Sequence, residues 1–594
     1  MADSKKIETI YNRCKLAKVI SFDVFGTLIT RDVVEPDDVI RIAKTKKNGR
    51  EVVGENKEDI EALYEVEMSI VHPIDDMIFV MRRLKQNGKV IILTSDMYLN
   101  GQMIENLLEN IGVIKGIDYD WIFVSSDYGC TKKDGGLYKL IQQEIHVSFE
   151  EMVHIGDAIR SDYLIPRMLG IKAIWYKSEK NRSVPEYRNN ELRNLNRFIE
   201  NHMSVENYEY EIGYKFFGPL LYGFANWLND RISERNEPVF FLAREGFIFL
   251  KALEIMGMSQ ENMKYMLISR RSIIGSLLWI YDDIDEMIKS LHIDRKISFE
   301  KVIALLNVQE CLKNDRASLK LLGRIYTSST EIIDDEETYS FLFRHISEIK
   351  EKSKSQYDAM EKYLQSIEFD TQDDCTMVDI GWVGTMQRYL NDYIKTRKYS
   401  KRIKGLYLGV HINNYNEDPK EGYLFNGDSV KKQRDIFSFV GLLESVFSEQ
   451  DGSVKHYCQR GDSYEIERCG YEYDENDAKK IAMIQQGMLD FVRDMHNSGI
   501  KHILFFDQYL STFNLLKFGN NPSKKDLDFF RTLVFSDESY SLNSGFGLKT
   551  LSIKDFKNNF MNSIWKTAYL KCTFGSWFPA KAFYDCLYGL KKNT

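Results

Sequence analysis

The chain has 594 residues, of which 43% are hydrophobic and 13% aromatic, and its formal net charge is -8 at pH 7. This length exceeds what one hydrophobic core usually supports, so several packed domains are expected, and the nine prolines argue against long disordered linkers. The acidic balance gives no reason to expect nucleic acid as the main partner.

The cysteines, the histidines and the apolar segments predict where such a protein resides. The eight cysteines are scattered without a CxxC pair, which argues against a zinc site and fits free thiols in a reducing compartment. The histidines show no metal-ligand spacing. No secretion signal is visible, and no stretch of about 18 residues is free of charge. Residues 214–228, the most apolar segment, predict a buried helix, with an interfacial membrane helix as the alternative. A cytoplasmic protein without a transmembrane segment is expected.

The first informative stretch is an apolar run, VISF, that leads into Asp23 and a turn containing Gly26 and Thr27. This pattern predicts a buried strand that ends in an acidic loop, the usual position for chemistry in an open parallel sheet. Helices are then predicted to start near Glu35 and to cover residues 57–71 and 73–86. They predict a small helical cap at about residues 33–75.

Three further predicted strands end in residues that complement Asp23. The run KVIILTSD ends in hydroxyls, WIFVSSD leads into a loop with two lysines, and MVHIGD ends in an aspartate. A final run, KAIWY, closes the unit. Strands that alternate with helices predict a parallel α/β sheet with right-handed crossovers. The side chains expected at its carboxyl edge are Asp23, Ser95 (or Thr94), Lys132, Asp157 and Asp162.

These side chains form the set that a phosphoryl group requires. A carboxylate serves as nucleophile or metal ligand, while a hydroxyl and an ammonium group bind the phosphoryl oxygens. Facing carboxylates repel one another without a cation, so a bound Mg²⁺ ion is predicted. Each residue alone also has a structural interpretation, since strand-end aspartates often cap helices and loop lysines are often solvated. Their recurrence at four strand ends favours the functional interpretation.

The four motifs, DVFGTL, LTSD, the loop lysine and GDAIRSD, resemble those of the haloacid dehalogenase (HAD) superfamily over about residues 15–178. The resemblance implies a Rossmann-like domain in which Asp23 attacks phosphorus and forms an aspartyl-phosphate, with Ser95 and Lys132 as its other catalytic residues. The implied phosphate-binding residues are Gly26, Thr27, Ser95 and Lys132. The implied Mg²⁺ ligands are Asp23, the backbone carbonyl of Phe25, Asp157 and Asp162.

Phe25 departs from the pattern of the family's phosphatases, which usually have a general-acid aspartate at this position. An aromatic residue there is similar to the dehalogenase branch, which needs no metal, whereas Asp157 and Asp162 look like the metal-binding version. We therefore expect poorly activated esters to turn over slowly unless Asp96 or Glu35 donates the proton. Phe25→Asp should raise activity if the site is otherwise competent. A degenerate, non-catalytic domain is the alternative.

The remainder of the chain predicts a multidomain α/β protein. A charged, Asn-rich stretch at 178–196 predicts a boundary, with the HAD-like domain at residues 1–185. Residues 200–470 predict a second α/β domain with a helical insertion at about 281–368, and residues 471–594 a helical, aromatic-rich region. With the first motif, FLAREG, SRRS and DIGWVGT resemble large bacterial predicted HAD hydrolases associated with surface-polysaccharide biosynthesis. That resemblance implies a sugar-phosphate-like or polyol-phosphate substrate, and glycosyltransferase or self-association partners.

A possible second site is predicted in this second domain. The loop DIGWVGT follows a predicted strand and opens a helix, so its amides could hold an anion, and nearby arginines offer forks for phosphate. The residues are Arg244, Arg270, Asp379, Gly381, Gly384 and Thr385. The loops are weakly similar to those of phosphoribosyltransferases, although the paired acids of that family are missing. Two alternatives stay open: the glycines only permit tight turns, or a phosphoribosyltransferase-like or glycosyl-transfer site lies here beside a HAD domain that only binds.

Overall fold

The structure is a computed structural model, and it describes residues 2–47, 49, 52, 56–177, 189–203, 207–233, 236–259, 261–291, 293, 297–371, 373–411, 418–470, 474–531, 533 and 553–590. The chain forms two compact units. The first comprises Met1–Ser204 with Asp494–Phe505, and the second comprises Val205–Arg493 with Phe506–Thr594. The predicted domain ranges stay a prediction, and most of the predicted boundary, residues 178–188, lies outside the described residues.

The first unit is built on a five-stranded parallel sheet. Its strands, including a separate two-stranded ribbon, are β1 (Val19–Asp23), β2 (Ile29–Arg31), β3 (Val71–Pro73), β4 (Val90–Ser95), β5 (Trp121–Val124), β6 (Met152–Gly156) and β7 (Lys172–Trp175). Its helices are α1 (Ala2–Cys14), α2 (Asp37–Lys46), α3 (Lys57–Ile70), α4 (Asp75–Gln86), α5 (Gly101–Asn110), α6 (Ser125–Tyr128), α7 (Gly136–Ile145), α8 (Ile165–Met168) and α9 (Asn190–His202).

The strand order of this sheet places the predicted site. The order is β5-β4-β1-β6-β7, so the chain leaves β1 towards one edge and later returns to its other side. Strand β1 is buried along its whole length, with Ile20 and Phe22 in a core on one face and Val19 in a core on the other. The carboxyl ends of β1, β4 and β6 therefore meet where the strand order reverses, which is where open α/β sheets bind ligands.

An antiparallel ribbon of β2 and β3 carries the helical cap. Ile29 pairs with Pro73 and Arg31 with Val71, so the chain between the two strands leaves and returns at one place. That intervening segment holds α2 and α3, and Asn56 caps α3 by accepting a hydrogen bond from the Asp59 amide. The ribbon was not predicted, because its two short strands lie forty residues apart in the chain.

The second unit contains another five-stranded parallel sheet, in the order β14-β13-β12-β8-β9. The strands of this unit are β8 (Val239–Leu242), β9 (Met263–Met266), β10 (Ile297–Ser298), β11 (Ile325–Tyr326), β12 (Cys375–Trp382), β13 (Ile403–Val410), β14 (Lys420–Gly422), β15 (Val454–Arg460) and β16 (Ser463–Arg468). Strand β8 is followed by the helix Gly246–Ile255. Strand β9 stops at Met266, and Arg270 begins a helix capped by Ser269.

Helices occupy most of the rest of the second unit, both between β9 and β12 and after β16. They are α10 (Tyr208–Ile212), α11 (Gly218–Ile232), α12 (Gly246–Ile255), α13 (Arg270–Leu277), α14 (Ile284–Ser290), α15 (Phe299–Leu305), α16 (Gln309–Asn314), α17 (Ser329–Asp334), α18 (Glu336–Arg344), α19 (Ile346–Ser366), α20 (Thr385–Thr396), α21 (Val430–Phe437), α22 (Val440–Phe447), α23 (Glu475–Asn497), α24 (Gln508–Asn520), α25 (Lys524–Phe530), α26 (Ile553–Asn562), α27 (Lys566–Phe574) and α28 (Ala580–Leu590). The predicted multidomain α/β class is confirmed.

The apolar segment at 214–228 lies in a π-helical turn, Gly213–Phe217, and in α11, whose apolar residues are largely buried. It is thus the buried helix that the sequence predicts. Among the helices of the described ranges, none combines the length and the apolar character needed to span a membrane.

Candidate active site

The side chains of Asp23 and Lys132 form the centre of the site. Asp23 ends β1 and is 5% exposed, and the Lys132 ammonium lies 2.5 Å from its Oδ1 atom. Thr27 donates a hydrogen bond of 3.0 Å to the other oxygen of Asp23. The lysine loop is anchored because the backbone amide of Lys132 donates to Asp96 Oδ1 at 2.7 Å. The nucleophile candidate is therefore held at both oxygens in a site nearly closed to solvent.

Two further carboxylates converge on Asp23. Oxygens of Asp23, Asp157 and Asp162 all lie within 4.8 Å of one another. Asp162 lies 2.8 Å from the Lys132 ammonium and accepts the backbone amide of Ala158 at 2.9 Å. Gly26 makes the approach of Asp157 possible, since its φ is +87° and an added Cβ would lie 2.3 Å from an Asp157 oxygen. A side chain at this turn would push the carboxylate out of the site.

The donor set of this cluster fits Mg²⁺. It offers hard oxygen atoms alone, three carboxylates from Asp23, Asp157 and Asp162, which is the ligand type that Mg²⁺ prefers. The Phe25 carbonyl accepts none of the described backbone hydrogen bonds, so it is compatible with the fourth ligand that the resemblance implies.

The charges of the cluster are unbalanced when only Lys132 opposes them. The pKa of Asp23 is raised to about 7, mainly by burial. Repulsion from Asp162 and Asp157 adds to this effect, and the Lys132 ammonium offsets only part of it. Burial, together with Asp162, also raises the pKa of Asp157 to about 6. Burial alone would raise the pKa of Asp162, but His154 and Lys132 hold it below its usual value. A divalent cation would relieve this repulsion.

We expect Mg²⁺ to bind more tightly as the pH rises from about 5 to about 8, because the carboxyls must lose their protons before they can act as ligands. The raised pKa values of Asp23 and Asp157, about 7 and about 6, set this window. Calorimetric titration at several pH values, in buffers of different ionisation enthalpy, measures both the affinity and the protons released. Asp157→Asn should weaken binding and release fewer protons. An affinity that does not change with pH would contradict the expected role of these carboxyls.

The two hydroxyls at the end of β4 have different surroundings. The Thr94 hydroxyl lies 2.6 Å from that of Ser21, which in turn lies 2.9 Å from His154 Nδ1. His154 is fully buried and its Nε2 atom lies 3.4 Å from Asp162, so this histidine is a core residue that orients a carboxylate. Burial lowers the pKa of His154. Ser95, buried as well, makes no side-chain hydrogen bond to another described residue, so its hydroxyl is available for a ligand.

Phe25 belongs to a chain of contacts that reaches the cap. The Arg31 guanidinium stacks 4.2 Å from the centre of its ring. Arg31 also binds both carboxylate oxygens of Glu67 at 2.8 and 2.7 Å, and Tyr98 donates to Glu67 at 2.9 Å. Sequence patterns do not predict these contacts, because Arg31 and Glu67 lie in elements that only the pairing of β2 with β3 brings together. A positive charge therefore lies beside Phe25, next to the loop that follows the nucleophile candidate.

Of the two candidate proton donors, Asp96 is the better placed. One oxygen of Glu35 lies 2.8 Å from Arg193, and half of the Glu35 side chain is exposed. Asp96 accepts the Lys132 amide with Oδ1, while its Oδ2 atom is buried without a hydrogen-bond partner among the described residues. Asp96 thus lies in the loop network of the site and retains a free oxygen.

The predicted second site is only partly assembled in the second unit. Asp379 lies inside β12, where burial, Glu245 and Glu444 raise its pKa to about 8 in spite of Arg244. Arg270, in contrast, donates to the Leu291 carbonyl in the helical insertion. The glycine-bearing turn has a more local role. Gly381 is the penultimate strand residue with a φ of +134°, Gly384 is the left-handed residue before α20, and Thr385 is the first residue of that helix.

Comparisons with known proteins find similarity only among solved structures. No family model matches the chain, and no curated protein does. An HAD family enzyme from Bacteroides thetaiotaomicron, in complex with magnesium and inorganic phosphate, is 14% identical over 27% of this chain and 94% of its own, with a TM-score of 0.22. An HAD phosphatase from Thermococcus onnurineus is 16% identical over 29% of this chain and 89% of its own, with a TM-score of 0.22. CbbY from Rhodobacter sphaeroides, in complex with phosphate, is 16% identical over 27% of this chain and 87% of its own, with a TM-score of 0.22.

Proposed function

We propose that the first unit is a Mg²⁺-dependent phosphohydrolase that acts on a small phosphorylated molecule, with Asp23 as the nucleophile. The observation that carries this proposal is the buried ammonium of Lys132, which lies between Asp23 and Asp162 at the carboxyl edge of the sheet. A buried cation shared by two carboxylates, with the hydroxyl of Ser95 at the end of the neighbouring strand, suits the binding of phosphoryl oxygens.

The proposed reaction has two displacement steps. An Asp23 oxygen attacks phosphorus, and the bond from phosphorus to the ester oxygen breaks, so that the phosphoryl group is held by Asp23 as an acyl phosphate. Lys132 and Ser95 bind the phosphoryl oxygens, and Thr27 keeps the carboxylate oriented. Water then hydrolyses the acyl phosphate, which releases inorganic phosphate and restores Asp23. Mg²⁺, when bound, neutralises charge between the carboxylates and the phosphoryl group.

The finer description of the substrate rests on the sequence resemblance. It favours a sugar-phosphate-like or polyol-phosphate substrate, a role in surface-polysaccharide biosynthesis, a cytoplasmic location, and a glycosyltransferase or a second copy as partner. The Phe25–Arg31 contact adds a physical expectation. With Phe25 and its stacked Arg31 at this place instead of an acid, esters with good leaving groups should turn over much faster than alkyl esters.

The test is hydrolysis of p-nitrophenyl phosphate and of a panel of sugar and polyol phosphates, with Mg²⁺ and with a chelator. We expect turnover that requires the metal and falls about 10⁴-fold or more in Asp23→Asn, because the nucleophile is lost. Asp37→Asn, which changes an exposed carboxylate at the start of α2, is the matched control and should keep full activity.

Absence of turnover from folded protein that still binds Mg²⁺ would overturn the hydrolase proposal. The alternative would then be a binding or scaffold module, with a transfer reaction in the second unit. Ligand binding that survives Asp23→Asn and is lost in Asp379→Asn would support that alternative.

A further inference from the structure

Three residues that are distant in sequence meet at a second point of the first unit. Asp32 follows strand β2, His72 lies in strand β3 and His202 is the last residue of α9. The Nε2 atom of His72 lies 2.9 Å from Asp32 Oδ1, and the Nε2 atom of His202 lies 3.1 Å from Asp32 Oδ2. One potential ligand atom from each residue lies within 4.8 Å of the others. The two imidazoles therefore face the two oxygens of one carboxylate.

The cluster is buried and its members are held in place. The Asp32 side chain is 0% exposed, and those of His72 and His202 are 20% and 18% exposed. Asn201 donates to one oxygen of Asp32 at 3.1 Å, and Ser498 donates to the other at 3.3 Å. A buried carboxylate requires strong compensation, either from hydrogen bonds or from a cation. The Nε2 atom of His72 is buried and lies 2.9 Å from Asp32 Oδ1, but it meets the criteria for a hydrogen bond to none of the described residues.

The two histidine rings are held by contacts with their neighbours. They contact each other edge to face, with 4.3 Å between ring centres, and Phe198 stacks on His202 at 4.1 Å. The far nitrogen of His202, Nδ1, lies 4.0 Å from a carboxylate oxygen of Asp494. Ligating histidines generally present their second nitrogen to a carboxylate or a carbonyl, which fixes the ring and raises its basicity.

We propose that Asp32, His72 and His202 bind a first-row transition metal ion, with Zn²⁺ as the ion that the ligands suit best. Two imidazoles and one carboxylate favour Zn²⁺ over Mg²⁺ or Ca²⁺, which prefer oxygen ligands. Ligand atoms about 2.0–2.1 Å from a tetrahedral Zn²⁺ lie about 3.3 Å apart. The observed separations of 2.9 and 3.1 Å reach that value with small side-chain adjustments.

This site is separate from the proposed Mg²⁺ site and has a structural role. Its ligands come from the residue that follows β2, from β3 and from the end of α9. The ion joins these three elements, and it fixes the ribbon next to Arg31, the residue that stacks on Phe25. The inference stands whether or not the first unit hydrolyses phosphate esters.

The experiment measures binding of Co²⁺ and Zn²⁺ alone to the full chain, by visible absorption and by calorimetry. Two other clusters must be removed first, the aspartates at Asp23 and a strand-pair cluster of His456, Cys458 and Glu467. The background protein therefore carries Asp157→Asn and Cys458→Ser. His72→Gln and His202→Gln are made separately in it, and His146→Asn, at an exposed histidine in the left-handed region, is the matched control.

We expect the background protein and its His146→Asn variant to bind one equivalent of metal and to gain thermal stability from it. Each of the two glutamine variants should bind at least about 100-fold more weakly, since even the loss of a supporting residue costs about 10–100-fold. Circular dichroism shows whether the variants are folded, and either folded variant is sufficient for the comparison. No metal bound by the background protein would overturn the proposal, leaving a hydrogen-bonded triad. Binding that is unchanged in both folded variants would also overturn it.

Discussion

Replacing Lys132 by methionine is expected to reduce turnover by about 10²–10³-fold and to lower the free energy of unfolding by about 3–5 kcal/mol at pH 8. The ammonium lies 2.5 Å from Asp23 and 2.8 Å from Asp162, and it is almost completely buried. Methionine keeps much of the volume and removes the charge, so two buried carboxylates lose their counterion. Denaturant titration without metal gives the stability, and p-nitrophenyl phosphate hydrolysis with Mg²⁺ gives the turnover.

The stability loss of Lys132→Met should depend on pH in a definite direction. The pKa of Asp23 is already about 7 beside Lys132, and without the ammonium the carboxyl would hold its proton more strongly. As the pH falls towards 5 the proton neutralises the unpaired charge, so the loss should shrink. Lys133→Met, at the exposed neighbouring lysine, should have little effect at either pH. An equal loss for the two variants, or one independent of pH, would show that the buried ion pair does not have this role.

Phe25→Asp is expected to speed hydrolysis of alkyl phosphates by about 100-fold, at the low end of the range for general acids, while p-nitrophenyl phosphate changes little. An alkoxide leaving group needs a proton, whereas p-nitrophenolate hardly does. The gain stays at the low end because Arg31, 4.2 Å from the ring in the unsubstituted protein, favours the ionised form of the introduced carboxylate. Steady-state kinetics on both ester classes measure the difference.

Phe25→Asn is the control for this substitution, because it has nearly the same shape and cannot donate the required proton. It should leave the ratio of the two rates unchanged. A gain of equal size on both ester classes would point to easier substrate access and would remove the general-acid explanation. No gain with either ester, in protein that binds Mg²⁺, would favour a different proton donor such as Asp96.

The sheet of the first unit could be predicted because each strand carries its own signal. Short apolar runs end in polar residues, and parallel strands collect those ends at one edge. The run Lys89–Asp96 differs from the observed Val90–Ser95 by one residue at each end. The choice between Thr94 and Ser95 needed the structure, because it depends on the hydroxyl of Ser21 on the neighbouring strand.

Long-range pairings could not be predicted from local patterns. Strands β2 and β3 have three residues each and become strands only because they pair with each other. The spacing of the histidines along the chain does not show the cluster at Asp32, because His72 and His202 meet across 130 residues. In the second unit the sequence predicts that Asp379 lies in a turn, but the pairing of β12 with β13 continues through Asp379 to Trp382.

The first unit is built from two segments that lie far apart in the chain, so the ribosome makes them at different times. The unit includes Asp494–Phe505, whose short helical turn Gly499–His502 packs on α2 and α3 and whose Ser498 reaches Asp32. A ribosome adds about 5–20 residues per second, so this segment emerges roughly 15 s to a minute after α9. During that interval the cap helices lack part of their packing, and a nascent chain is open to chaperones and proteases at this place. Synthesis of the larger part of the second unit, Val205–Arg493, therefore precedes completion of the first.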